Sequence, residues 1–368
     1  WRFIMSEFRV NSITNQDGST GPQVCGVSTF SGKSGIQIPS GSTDFRRQDG
    51  GGRGRGVIAG GYNYPSGEQS QLQLIEIATR GNATDFGDLK AIRYSGGGCS
   101  SSTRGIYVGG RKESPFTLDT DIQFITMASQ GGANDFGDIS FFGTGLRAVS
   151  NNTRGLAFGG VENITLSPTN TINKNIEFFT IASTGDGTDF GELTLASYAA
   201  GTASSPTRGI SAGGQKSPLP QGTLTIMNVI EFMTFSTLGN AQDFGDLSLA
   251  LRATSGASNA TRAIFAGGYN ASPIAYNQGS NQIQFITMAS EGNGTDFGDL
   301  AMDTSFATSV SNSTRGVVGD GPNSPSHSNA MDFITIATLG DGTDFGDMLT
   351  KVIFSSQNIS DAHGGLAQ

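Results

Sequence analysis

The chain has 368 residues and a formal net charge of −9, from 22 Lys plus Arg against 31 Asp plus Glu. That balance lacks the basic footprint a nucleic-acid backbone requires, and it disfavours docking on an anionic membrane surface. Two cysteines, Cys25 and Cys99, form neither a disulfide framework nor a zinc motif, and no apolar run reaches the ~18 residues of a membrane-inserted helix. The cysteines leave the redox compartment open. No signal peptide is visible, and the chain opens at Trp1 rather than Met, so its true start is left open as well.

In chain order, residues 1–45 read as an N-terminal arm, polar and rich in Gly, Ser and Thr, with little core of its own. Residues 46–368 form one repeating domain. A signature Asp-Phe-Gly recurs at intervals of 48 to 54 residues, with its Phe at Phe86, Phe136, Phe190, Phe244, Phe297 and Phe345. Thirteen residues before each lies an acid or amide: Gln73, Gln123, Glu177, Glu231, Gln284 and Asp332. Eighteen residues after the first five lies an Arg (Arg104, Arg154, Arg208, Arg262 and Arg315), and Arg55 is a sixth copy without an upstream signature. Each Arg opens an apolar run that ends in glycine six residues on.

Four strand-sized pieces follow from each repeat: a short one before the Arg, the Arg run, the strand carrying the acid or amide, and the signature. Fixed spacing means fixed packing, because a one-residue slip turns a strand's faces over. All length variation falls between the glycines and the third strand, in 62–71, 111–121, 161–175, 215–229, 269–282 and 322–330. In a repeat array, insertions at one site map to loops on one face. Six units of four strands predict an all-β, six-bladed β-propeller. The chain enters on a second strand at Arg55, so residues 351–354 are expected to act as a C-terminal strand that closes the ring.

The chemistry-bearing motifs are few. Asp-Phe-Gly without its kinase partner motifs is not a Mg²⁺ site. The signature turns richest in carboxylate, 185–192 and 340–347, read as β-turns capped by Asp, with calcium as the second reading. The recurring Arg reads as a structural clamp on a repeat Asp, such as Asp135 or Asp138 for Arg154, and on its own turn. His327 and His363 lie outside the repeat cores, and no zinc His-Glu-X-X-His motif appears. No cofactor, metal or catalytic residue is expected. Several sequons, including those at Asn82, Asn163, Asn259, Asn293 and Asn312, read as chance matches in a chain of this composition.

The Gly-Gly ends, the acid-bearing strand, the aromatic and the closing Arg together resemble the kelch repeat over residues 46–354. Phe stands where kelch repeats usually carry Trp, and Leu74, Phe124 and Phe333 stand in place of Tyr. The Thr-Asp-Phe-Gly-Asp-Leu units also resemble repeats in virion proteins of marine and cyanobacterial tailed phages. Residues 36–46 look like a segment common in phage tail and fibre proteins. The resemblance implies a kelch-like propeller in a non-enzymatic, extracellular virion component, a tail fibre or tail-associated protein. Its implied partners are other virion proteins, further copies of itself, and a host surface glycan or protein receptor. A carbohydrate-active enzyme on a propeller scaffold and a bacterial surface adhesin or filament subunit are the alternatives. Candidate partner-binding residues lie in the variable segments: Tyr62, Tyr64, Lys112, Phe116, Lys216, Tyr269, Tyr276 and His327. Tyrosine there offers rigid contact area with a polar tip.

Overall fold

The structure, a computed structural model, describes residues 54–63, 66–113, 115–162, 172–216, 225–270, 279–319, 321 and 328–366. The chain divides into units Trp1–Thr43 and Asp44–Gln368, and the described residues all fall in the second. The expected arm therefore lies outside them. The second unit is a six-bladed β-propeller of antiparallel sheets, and its one helical element among the described residues is the 3-10 turn Gly364–Leu366.

In each blade the strands pair in chain order from the axis outward. Blade 2 runs Gly97–Ser100, Arg104–Val108, Asp121–Thr126 and Asn134–Asp138. Blade 3 runs Arg147–Ser150, Arg154–Phe158, Asn175–Thr180 and Thr188–Glu192. Blades 4, 5 and 6 repeat this, beginning at the inner strands Gly201–Ser204, Ser255–Ser258 and Ser309–Ser311. Blade 1 has three regular strands, Arg55–Asn63, Gly67–Glu76 and Thr84–Asp88. The inner strands are wholly buried and built of small residues (Gly-Gly-Cys-Ser, Gly-Thr-Ala-Ser, Ser-Gly-Ala-Ser), as crowding at the axis demands. Only Arg147 breaks that column with a charge.

The repeat residues meet between blades, not within them. Six apolar clusters form, each joining residues of two adjacent blades, including one across blades 6 and 1. Every signature Phe is buried at 2–3 % exposure. In five blades its ring meets a third-strand Phe edge to face, as Phe136 does Phe124 at 6.2 Å. The Arg guanidinium stacks on that third-strand Phe, 4.6 Å from its centroid for Arg154 over Phe178. The expected Arg–Asp clamp does not form. Arg154 Nη1 donates instead to the Phe235 carbonyl of the next blade, and Arg104, Arg208, Arg262, Arg315 and Arg55 do the same with their own neighbours. A guanidinium held against a ring face already points its fork at the neighbouring strand end, where carbonyls need donors.

The signature also explains its glycine. The Gly131 amide donates to the Phe86 carbonyl and the Ala133 amide to Asp88, so the turn of blade 2 covers the outer edge of blade 1. The same two bonds recur at all six junctions, ending with Gly81 to Phe345 and Ala83 to Asp347. A Cβ on Gly87 would lie 2.4 Å from the Gly131 carbonyl oxygen, and φ there is +147°, so only glycine fits. The turn Asn or Asp completes the contact: Asn82, Asp186, Asn240, Asn293 and Asp341 each accept from a backbone amide of the preceding blade. The Asp residues that suggested calcium are thus engaged as inter-blade acceptors. Asn259 and Asn312 cap the turn before their Arg, so the sequon asparagines Asn82, Asn259, Asn293 and Asn312 serve local structure, and Asn163 lies outside the described residues.

The expected strand over 351–354 does not form. Residues 353–361 lie along Arg55–Asn63 through isolated bridges, Tyr62 with Ile353 and Gly56 with Ser360. Positive φ at Phe354 (56°) and Asn358 (63°) breaks the extended run. The register also differs from the sequence reading. Ser95, Gly145, Ala199, Ala253, Phe306 and Phe354 share a left-handed backbone, and each amide donates to the carbonyl of the one before, Ser95 donating to Phe354. Phe354 is therefore equivalent to the residue that precedes an inner strand, not to the strand itself. Five residues separate Ser95 from Ser100, and likewise in blades 3 to 6, but six separate Phe354 from Ser360. Asn358 takes up the extra residue.

At the other end of the axis, Ser100, Ser150, Ser204, Ser258, Ser311 and Ser360 form a second circuit. The amides of Ser100, Ser150, Ser204 and Ser258 donate to the next hydroxyl, and Ser360 bonds both Ser100 and Ser311. Side chains of the tail cross the axis between the circuits, Asn358 to Thr202 and Gln357 to Thr254. Beyond Ser360 the chain turns across the channel end. There His363 Nδ1 accepts from the Gly365 amide, so its Nε2–H faces the Ser100 carbonyl. Burial lowers the His363 pKa to about 4, so it is neutral at physiological pH. A chain ending at Thr350 should lose Val352 from one inter-blade cluster, Ile359 from another, and the sixth member of both circuits. Expected outcomes are a lower melting temperature and self-association in analytical ultracentrifugation; an unchanged monomer with unchanged melting would contradict this.

Candidate binding face

Strand alternation gives the propeller two unlike faces. One carries the Arg residues, the serine circuit and the points where the described chain enters, at Gly54, and ends, at Leu366. The opposite face carries the Gly-Gly ends and the described residues from which each variable segment departs. Second glycines there donate to the connection entering the next blade, Gly61 to Arg93 and Gly160 to Ser197, so the base of each variable segment is fixed. In two blades that segment begins and ends as a hairpin, Arg111–Glu113 with Phe116–Leu118 and Gln215–Lys216 with Thr225–Ile226.

The candidate residues divide accordingly. Tyr62, Lys112 and Lys216 are half-buried on this face and Phe116 is exposed at 41 %, but they sit on blades 1, 2 and 4 and form no single cluster. Tyr269 is a correction: it is 1 % exposed, its backbone pairs with Arg252, and the Arg252 guanidinium covers its ring. It packs the blade and offers no contact surface. Tyr64, Tyr276 and His327 lie outside the described residues.

A group that sequence reasoning missed surrounds the axial mouth of this face. Tyr198, Phe306 and Phe354 gather there, with Phe306 and Phe354 rings 4.2 Å apart, and the aromatic run continues outward through Tyr94 to Tyr62. Arg147, Ser355 and Gln357 line the same narrow pocket. Burial draws the Arg147 pKa down to about 10, which leaves it charged at neutral pH. The available signal was the column itself: Arg147 stands where the other repeats have Gly97, Gly201, Ser255 and Thr308.

The acid or amide of each third strand bonds the preceding blade. Gln284 accepts from both the amide and hydroxyl of Ser248, Glu231 does so from Thr194, and Glu177 from Ser140. These carboxylates serve the joints between blades, as the amides at equivalent positions do. Burial raises the pKa of Glu231, with the facing Asp243 adding to it. Cys99 is buried on an inner strand, its thiol pushed up to about 12, which makes it inert. An acid whose pKa rises on folding contributes less stability once pH exceeds that raised value. Glu231→Gln, which keeps the acceptor as Gln284 does, should raise Tm at pH 8 by about 1–3 °C. The gain should shrink as pH falls towards the ordinary Glu range. Melting curves at several pH values check this, and a pH-independent difference would contradict the assignment.

No family model matches the chain, and no curated protein matches it.

Proposed function

We propose that the protein is a non-enzymatic virion structural protein of a tailed phage, a tail fibre or tail-associated component. In this reading the variable face contacts the host surface or a virion neighbour. The carrying observation is a division of labour. Repeated Phe, Arg, Gly and acid or amide residues are spent on inter-blade contacts, while differences in length and sequence between repeats collect on one face. A rigid ring that varies only there suits recognition, since binding residues tend to sit on loops carried by a fixed scaffold. The phage assignment rests on the resemblance of the signature repeats, and the fold alone does not choose among functions. Partners under this reading are other virion proteins, further copies of the chain, and a host glycan or protein receptor.

Replacing 163–171 and 217–224 with short Gly/Ser linkers tests the face directly, because the described strands on either side are kept. The variant should melt as the parent does, while binding to host cells or to purified virions lacking this protein falls at least tenfold. Mass spectrometry of purified particles should find the chain. Its absence there, with retained cell binding, favours a bacterial adhesin. Turnover of host-derived glycan favours a carbohydrate-active enzyme.

A further inference from the structure

We infer that a cavity at the joint between blades 5 and 6 binds a primary ammonium carried on a short aliphatic chain. The cavity measures about 190 Å³, against the ~10–15 Å³ that one water needs. Leu300, Met302, Val318 and Ala330 give it apolar walls, and Asp332 and Asp344 bring carboxylates to it. Asp332 is half-buried and Asp344 exposed, so both can be reached from outside. Two truncations open the space. At the joints served by Glu177, Glu231 and Gln284, the side chain accepts from both the amide and the hydroxyl of a Ser or Thr. Here the acid is Asp332, one methylene shorter, and Ala301 brings an amide at 2.9 Å but no hydroxyl.

The joint between blades 1 and 2 shows where an ammonium sits. Lys90 stands there in the position of Ala301, and its amide donates to Gln123 as that of Ala301 does to Asp332. Lys90 Nζ crosses to Asp135 Oδ1 at 2.5 Å, and Asp135 is the equivalent of Asp344. At the joint between blades 5 and 6 the same Asp stands without the lysine, and a second carboxylate replaces the neutral Gln123. Burial raises the Asp332 pKa, and the charge of the facing Asp344 adds to it. No Lys or Arg lines the cavity, neither carboxylate forms an ion pair among the described residues, and the sequence between Gly319 and Ala330 holds no Lys or Arg. Two facing carboxylates without a counter-charge favour a cation, and apolar walls favour one on a hydrocarbon chain. Calcium fits less well, because it takes about six to eight oxygens. The site stands on this geometry and does not depend on the attachment reading.

Isothermal titration of the full chain with n-pentylamine, 1-pentanol, Nα-acetyl-lysine N-methylamide and calcium chloride at neutral pH tests the inference. Pentylamine should bind at least ten times more tightly than pentanol, which has the same chain without the charge. Equal binding of the lysine amide identifies the source as a lysine side chain of a protein partner; binding of pentylamine without it identifies a free amine. Asp332→Asn keeps an acceptor for the Ala301 amide, so it should fold as the parent does and weaken pentylamine at least fivefold. Ala301→Lys places an ammonium as Lys90 does, at an exposed position, and should abolish pentylamine binding. Pentylamine binding no better than pentanol, calcium binding more tightly than pentylamine and displacing it, or affinity unchanged in both folded variants would each overturn the proposal.

Discussion

Each blade would expose the edge of its outer strand, and the propeller depends on how that edge is covered. The turn of the next blade donates two backbone amides to it, at Phe86 and Asp88 and at their five equivalents. An uncovered edge is a template for pairing with another chain. Covering it with a neighbour's turn satisfies carbonyls, fixes the angle between blades and demands glycine at one point. The signature motif is the residue set this contact needs: Phe to fill the core beneath, Gly to admit the turn, and an acid or amide to receive the chain leaving the preceding blade.

The seam between the last and first blades uses the same contacts as every other junction. Gly81 donates to Phe345, Arg315 reaches the Ala78 carbonyl, and Gln73 pairs with Thr350. The tail then supplies Phe354 to one circuit and Ser360 to the other. It does so as an irregular segment and not as a strand, because it also fills the axis. Asn358 and Gln357 can span to blades 4 and 5 only if the backbone turns its side chains inward there. The cost is one left-handed residue beyond the pattern of the other blades, Asn358, and the result is a channel occupied by the chain's own polar side chains.

Much of this was legible in the sequence. Invariant spacing located the strands, their order and the buried Phe, because spacing reflects packing directly. The partners of the Arg residues were not legible: a salt bridge and a carbonyl contact to the next blade leave the same one-dimensional pattern. Tyr269 misled for a similar reason, since its place in a variable segment said nothing of Arg252 above its ring. The serine circuit was visible as a Ser four residues before each of five Arg residues, yet its sixth member comes from the far end of the chain. The axial mouth was the hardest to see, because Arg147, Tyr198, Phe306 and Ser355 come from four separate segments and converge only through the closed ring.

Function follows the same division. Residues that repeat are committed to the ring, and those that do not repeat are left for recognition. The central claim, that backbone bonds between neighbouring blades hold the ring at every junction including the seam, is tested most directly by native-state hydrogen exchange. The amides of Gly81, Gly131, Gly185, Gly239, Gly292 and Gly340 lie in exposed turns, yet each donates to the preceding blade. They should exchange as slowly as the strand amides beside them, with Gly81 at the seam as protected as the other five. Fast exchange at all six would contradict the edge-covering account, and fast exchange at Gly81 alone would show a ring that opens between its first and last blades.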